Sequence, residues 1–340
     1  MKTRSKNKKV LITGGAGFFG SHLAIKALQN GHDVSIIDSF NSETSPVEQK
    51  HLNVDCVSNV AKEYKADFKI YKLDITSSAD LNSYFKNERP NVVIHAAALT
   101  MDRASMNIPM DFIKTNITGT QLILNELLNV DSIEQFIFIS TRSAIGLAPE
   151  ASTSMNELEY FRPINPYGAS KAAAESFIHS YHFDTKIPIK ICRMQPMYGP
   201  RCRHDMFPFI LLHSFLTNDQ ATKYGSGEGI RDWLFIDDAV EAIFAIFDLD
   251  SSFEIFNIGT GVPTSTNELI SICEEVVGSM IKIKNIDSIR GDAHFAGIAD
   301  TKKIRHQAGW QHKVSLRDGI KHTLEYMMNN QYFYKKIAKK

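Results

Sequence analysis

The segment Asn165-Pro166-Tyr167-Gly168-Ala169-Ser170-Lys171 sets a phenol and an ammonium group four residues apart. In a helix that spacing puts both side chains on one face. A phenol, with a pKa near 10, is a poor base at neutral pH. Positive charge beside it favours the phenolate, which makes Tyr167 a candidate general base. Near the start of the chain, the apolar run KVLIT leads into Gly14-Gly15-Ala16-Gly17-Phe18-Phe19-Gly20. Glycines there let the backbone turn tightly and approach a diphosphate. A helix beginning at once adds free N–H groups and a partial positive charge. The next apolar run, VSIID, ends in Asp38. A carboxylate at that place accepts hydrogen bonds from both adenosine ribose hydroxyls and repels a 2′-phosphate. No Arg or Lys stands in Ser39-Phe40-Asn41-Ser42. These residues together point to NAD rather than NADP, with the positive nicotinamide ring joining Lys171 in easing Tyr167 toward the phenolate.

Such residues need a scaffold, and the chain alternates short apolar strands with helical patterns. Strands are predicted at 9–13, 33–38, 68–73, 91–96, 135–141 and 187–193, and helices at 20–29, 116–129 and 166–183. Alternation at this spacing implies a parallel sheet covered on both faces. Right-handed crossovers make it an α/β doubly wound (Rossmann) sheet. After Tyr198 the pattern breaks up and Gly and Pro become frequent. Residues 1–198 are expected to form the NAD-binding domain. Residues 199–340 are expected to form a smaller, mixed α/β second lobe, partly interleaved with the first.

Composition removes other classes. Hydrophobic residues are 43% of 340, enough to bury a sizeable core. Basic and acidic residues balance at 38 each, which argues against a polyanion binder, so no nucleic-acid partner is expected. No apolar run approaches the roughly 18–20 residues of a membrane span. The basic start MKTRSKNKK is separated from the glycines only by Val10–Thr13, too short for a signal peptide, and reads as a solvated tail. Cys56, Cys192, Cys202 and Cys273 lie far apart, with no CxxC pair. They give neither a zinc site nor a disulfide framework, and a cytoplasmic protein is expected. His179 and His182 share a helix face without a visible third ligand, so no metal is expected.

The sequence resembles the extended short-chain dehydrogenase/reductase family, and within it the NAD-dependent nucleotide-sugar epimerases and dehydratases. The resemblance runs from about Lys9 to Tyr326. It is carried by TGGAGFFG, Asp38, Leu73-Asp74-Ile75, His95-Ala96-Ala97-Ala98, Thr115-Asn116, Ser140-Thr141, Tyr167 with Lys171, and Tyr198-Gly199-Pro200-Arg201. GSGEGIRDWLFIDDAVEA, FNIGTG, Gly291-Asp292 and Ala299-Asp300 continue it. The resemblance implies that Gly14, Gly17, Phe18, Phe19 and Gly20 lie along the pyrophosphate. It places Asp38, Ser39 and Asn41 at the ribose, Asp74 and Ile75 at the adenine, and Ala96, Ala97 and Ala98 on the nicotinamide side. Asn116 joins this cofactor set. Thr141 takes the place of the hydroxyl residue that bonds the sugar, and Arg231 that of the arginine on the nucleotide diphosphate. The apolar stripes on 116–129 and 172–181 match those that pair subunits in the family's dimers.

The 4,6-dehydratases it resembles carry Thr-Asp-Glu where this chain has Thr141-Arg142-Ser143. The acid for eliminating water is missing, as is the Glu that decarboxylating members use at Ser143. Two segments are similar to UDP-glucuronate 4-epimerases: Asp38-Ser39-Phe40-Asn41 with Lys50 beyond, and Tyr198 to Met206 with Arg203 inside. Arg103, downstream of His95, fits the same subgroup. The chain departs from it at Arg142-Ser143, at Ile145, at Pro196 and at Arg290 just before Gly291. The implied substrate set is Arg103, Thr141, Arg142, Ser143, Arg203, Arg231 and Arg290, and the implied reaction is 4-epimerisation of a UDP-uronate. Three alternatives stay open. They are an epimerase of neutral sugars such as UDP-glucose or UDP-N-acetylglucosamine, a net oxidoreductase releasing NADH, and a silent NAD-binding regulator. The intact Thr141, Tyr167 and Lys171 speak against the last.

Overall fold

The computed structural model describes residues 7–148, 150, 153–184, 187–287 and 297–330. Its centre is a sheet of seven parallel strands: β1 (Lys9–Thr13), β2 (Asp33–Asp38), β3 (Phe68–Lys72), β4 (Val92–His95), β5 (Gln135–Thr141), β6 (Ile189–Met194) and β7 (Phe253–Ile258). Their spatial order is β7-β6-β5-β4-β1-β2-β3, the doubly wound arrangement expected. The order reverses between β1 and β4, so the strand ends there open a crevice.

The sheet is apolar on both sides because helices cover both. Along β1, Val10 and Ile12 point to one face and Leu11 to the other, as the two-residue period of a strand requires. On the first face pack α1 (Phe18–Gln29), α2 (Val47–Tyr64) and α6 (Ile236–Phe247). On the second pack α3 (Ser78–Glu88), α4 (Gly119–Asn129) and α5 (Pro166–Asp184). Every residue of β5 and β6 is buried, the mark of central parallel strands.

Sequence reading misses four of these elements, α2, α3, α6 and β7. Helices α2 and α3 carry few apolar residues; α2 buries only Val54, Val57 and Ala61 among its hydrophobics. Strand β7 lies far along the chain, yet it pairs with β6 from Phe253–Ile189 to Ile258–Met194. The stretch 199–340 therefore supplies one strand and one helix to the sheet layers, and the two ranges interleave. The helix predicted from Asn116 instead starts as a wider π-helical turn at Ile113–Thr118 before continuing as α4.

Beyond Tyr198, short strands pair with one another. Strand 221–224 pairs with 283–286, and 230–231 with 264–265. The helix at Thr266–Val277 opens with a capping box, Ser265 to Glu268 and back, which fixes where the chain leaves Arg231's neighbour strand.

Candidate active site

A cleft of about 720 Å³ runs over the ends of β1, β2, β4 and β5 and under the second lobe. It begins at the glycine turn. Gly14 has φ of 68°, and a Cβ there would come within 2.8 Å of the Ala97 backbone. A Cβ on Gly20 would sit 2.2 Å from the Gly14 carbonyl oxygen. Only glycine lets α1 start this close to the strand. Gly17 caps α1 with no side chain, and the first turn carries no acid. The opening N–H groups are left for an anion, so the residues present fit a dinucleotide diphosphate.

Asp38 ends β2 and is 5% exposed. Its Oδ1 accepts from Lys50 Nζ at 2.9 Å and from Phe40 N–H at 2.8 Å; its Oδ2 accepts from Ala16 N–H at 3.2 Å. Gly17, Phe18, Phe19, Ser39, Asn41, Asp74, Ile75, Ala96, Ala97 and Ala98 all line the cleft. Asp74 is held by Thr76, whose N–H and Oγ1 both donate to Oδ1 at 2.8 Å. His95 anchors the alanine run from below, between Thr13 Oγ1 at 2.6 Å and Thr120 Oγ1 at 3.0 Å. Burial, with Lys171 beside it, pulls the His95 pKa down to about 3, so it stays neutral.

Asn116 does not line the cleft. It is 1% exposed; its Nδ2 donates to Leu99 O and Ser170 Oγ at 2.9 Å, and its Oδ1 accepts from Leu99 N–H at 2.8 Å. In this structure its amide braces the segment after β4 against α5. The π-helical turn carries this brace between β4's exit and α5.

Thr141 closes β5, and its hydroxyl stands beside the Tyr167 phenol, where it works to lower the phenol's pKa. It also accepts from Ser143 N–H at 3.1 Å, which shapes the turn 142–144. Lys171 lies one helical turn beyond Tyr167, its ammonium 3.9 Å from the centre of the Phe138 ring. One further turn on, Glu175 accepts three hydrogen bonds from Arg193 and one from Ser140. Burial pulls Lys171 down to about 7, against the opposing Glu175 charge. Burial pushes Tyr167 up to about 12, reinforced by Asp102 and opposed by Thr141, Arg203 and Arg142. Without the nicotinamide charge, which the sequence reading counts alongside Lys171, burial outweighs the cations around the phenol.

Four of the expected arginines ring the cleft. The Arg103 guanidinium lies 3.8 Å from the Tyr224 ring centre, joining the two lobes. Arg142 donates to the Gly146 carbonyl at 3.1 Å, and burial, then Arg231, lowers its pKa to about 10. Arg203 is bound at both ends of its fork by Asp205, at 2.9 and 2.6 Å, and it also bonds Thr100. Arg231 donates to its neighbour's carbonyl, Ile230 O, at 2.8 Å and lines the cleft. Ser143 completes the wall beside Arg142. Arg290 lies outside the described residues.

Several cleft residues went unread in the sequence. Asp102 stands beside Tyr167, but its partner Asn165 is far away in the chain. Lys50 is recognisable only as a resemblance until it meets Asp38. Asp232, next to Arg231, takes four hydrogen bonds from Thr260, Gly261 and Ala299, pinning the FNIGTG loop. Among the described residues no group of His, Cys, Asp and Glu is placed to hold a metal; His179 and His182 pack on Phe253. Among them, too, no helix is long and apolar enough to cross a membrane.

The chain was compared with known proteins. The NAD dependent epimerase/dehydratase family matches residues 10–259. A UDP-glucuronate 4-epimerase of Thermodesulfobacterium geofontis is 30% identical, over 96% of this chain and 98% of its own. A human dTDP-D-glucose 4,6-dehydratase is 29% identical, over 98% and 93%. The crystal structure of UDP-glucuronic acid 4-epimerase from Bacillus cereus, with UDP-glucuronic acid and NAD, superposes with a TM-score of 0.86 at 30% identity, covering 95% and 99%. UDP-glucose 4-epimerase from Thermotoga maritima, with UDP-glucose, gives 0.85 at 30% identity over the same shares. With its glycine turn, its acidic β2 end and its Thr-Tyr-Lys group in place, the chain belongs to the NAD dependent epimerase/dehydratase family of extended short-chain dehydrogenases/reductases, and NAD is its cofactor.

Proposed function

We propose that the enzyme is a UDP-sugar 4-epimerase that interconverts UDP-glucuronate and UDP-galacturonate. The observation that carries this reading is the placing of Thr141 beside Tyr167 at a turn, Thr141-Arg142-Ser143, that holds hydroxyls and a guanidinium but no carboxylate. A 4,6-elimination needs an acid in that turn; a 4-epimerisation needs only a base, a hydroxyl and the cofactor. The likeness to the Bacillus cereus enzyme solved with UDP-glucuronic acid supports the uronate.

When bound, NAD would supply the hydride acceptor and donor for the sugar's C4. Tyr167 takes the proton of the 4-hydroxyl and later returns it. Thr141 steadies the same oxygen, and Lys171 orients the phenol and the nicotinamide ribose. Gly14 to Gly20 hold the cofactor diphosphate, Asp38, Ser39 and Asn41 its ribose, Asp74 and Ile75 its adenine, and Ala96 to Ala98 its nicotinamide. Arg231 and Arg103 hold the substrate's diphosphate end.

A uronate adds a demand. Once C4 is a ketone, the C5 carboxylate is β to it and leaves as carbon dioxide when its bond aligns with the ketone π system. The enzyme must pin the carboxylate out of that alignment. Arg142 and Ser143 are suited to do so, because Arg142 donates to the Gly146 carbonyl and keeps its charge for the cleft. Arg203 is the weaker candidate, being already forked onto Asp205. That same pairing favours a second reading, a neutral UDP-hexose, since it removes one cation from the sugar. Arg290 is retained as a substrate contact on resemblance alone.

Two further properties belong to this reading. The exposed Leu128 on α4 and Phe177 on α5 support a homodimer through those helices. Four free cysteines, three of them buried, support a cytoplasmic setting. The test of substrate is incubation of the enzyme with a panel of UDP-sugars and chromatography of the products. Conversion of UDP-glucuronate to its 4-epimer is expected. Conversion of neutral hexoses alone would contradict the uronate.

A further inference from the structure

Residues 100–103, just past β4, touch both lobes. Thr100 bonds Arg203, and Arg103 stacks on Tyr224, both in the second lobe. Asp102 turns the other way. Its Oδ1 accepts a hydrogen bond from Asn165 Nδ2 at 3.1 Å. Asn165 is the N-cap of α5: its Oδ1 accepts from Gly168 N–H at 2.8 Å and its carbonyl from Ala169 N–H at 3.0 Å. Pro166 then fills the first helical position, and Tyr167 follows it. An amide has one donor end and one acceptor end. A carboxylate on the donor end leaves the oxygen facing the helix, so Asp102 decides which way the cap points.

The phenol of Tyr167 also meets charge from several sides. Asp102 comes from this segment, Arg142 from the turn after β5 and Arg203 from the loop after Tyr198, while Lys171 of the same helix lines the cleft with them. Asp102 is the anion of the group.

We propose that Asp102 is a positioning residue for Tyr167: it locks the Asn165 cap that starts the catalytic helix and sets a negative charge against the phenol. Together with burial, that charge keeps the phenol protonated in the free enzyme, while Arg142 and Arg203 pull the other way. The base is then released only when further positive charge enters the closed cleft. This rests on the reading of Tyr167 as the base.

Two variants divide the roles. Asp102→Asn keeps an acceptor for the Asn165 amide and removes the charge. Asn165→Ala keeps the charge and removes the cap. The pH profile of kcat/KM is recorded for both on the NAD-loaded enzyme, with melting temperature alongside and Tyr167→Phe as reference. For Asp102→Asn, the limb that rises with pH is expected to move to lower pH by about one unit. For Asn165→Ala, kcat and melting temperature are expected to fall with the limb unmoved. An Asp102→Asn profile that superimposes on wild type would overturn the electrostatic role, and full kcat in Asn165→Ala would overturn the positioning role. Near wild-type turnover in Tyr167→Phe would instead remove Tyr167 as the base, a separate failure.

Discussion

The Lys50 ammonium donates to Asp38 Oδ1 across 2.9 Å, and both side chains are 4% exposed. Asp38 therefore neutralises a buried cation at the end of β2, where the proposed function also assigns it the cofactor ribose. Removing one member of a buried pair leaves the other uncompensated. Asp38→Ala is expected to weaken NAD binding, through lost charge-assisted hydrogen bonds of about 1.5–3 kcal/mol. It also frees Lys50 to meet a 2′-phosphate, so NADP affinity should rise. Titration of both cofactors checks this; an unchanged NAD-to-NADP ratio would leave Asp38 a structural partner of Lys50 only.

Lys171 couples activity to stability. Its folded pKa, about 7, lies below the ordinary 10.5 because the ammonium is buried. Between those values the unfolded chain binds more protons, so stability rises with pH across the window, and below it the folded state carries the whole penalty. Lys171→Met should abolish most turnover and raise the melting temperature of the cofactor-free protein by a few degrees at neutral pH. The gain should shrink as pH climbs through the alkaline range. A variant that melts lower than wild type at every pH would show that the ammonium stabilises the fold.

Arg142 and Arg203 separate by substrate. Loss of a guanidinium that holds a carboxylate removes a strong, forked contact. Arg142→Ala should cut kcat/KM on UDP-glucuronate roughly tenfold or more beyond its effect on UDP-glucose, and carbon dioxide should appear among the products. Arg203→Ala should act on both sugars alike, since Asp205 already occupies its fork. Equal losses for Arg142→Ala would move the substrate toward a neutral hexose.

Much of the sheet is legible from local pattern: β1, β2 and β5 begin and end where alternating or continuous apolar runs place them. The glycine turn and the Thr141, Tyr167 and Lys171 group are legible for a related reason, since each sits at a strand or helix end that its own neighbours define. What stays hidden depends on distant partners. Asp102 is an ordinary loop acid until Asn165 meets it from 63 residues away. The brace that Asn116 makes is hidden for the same reason, since its partners Leu99 and Ser170 lie 17 and 54 residues away. Helix α2 shows little apolar stripe because it covers only the sheet's margin. Strand β7 is invisible as a sheet member because its pairing with β6 spans a whole lobe.

The central claim is a 4-epimerisation in which the hydrogen leaving C4 returns to C4. It is tested most directly with UDP-glucuronate carrying deuterium at that carbon, the product being resolved by chromatography and read by mass spectrometry and NMR. The account expects UDP-galacturonate of unchanged mass with the deuterium still at C4. Deuterium lost to solvent, or a product lighter by water or carbon dioxide, would contradict it.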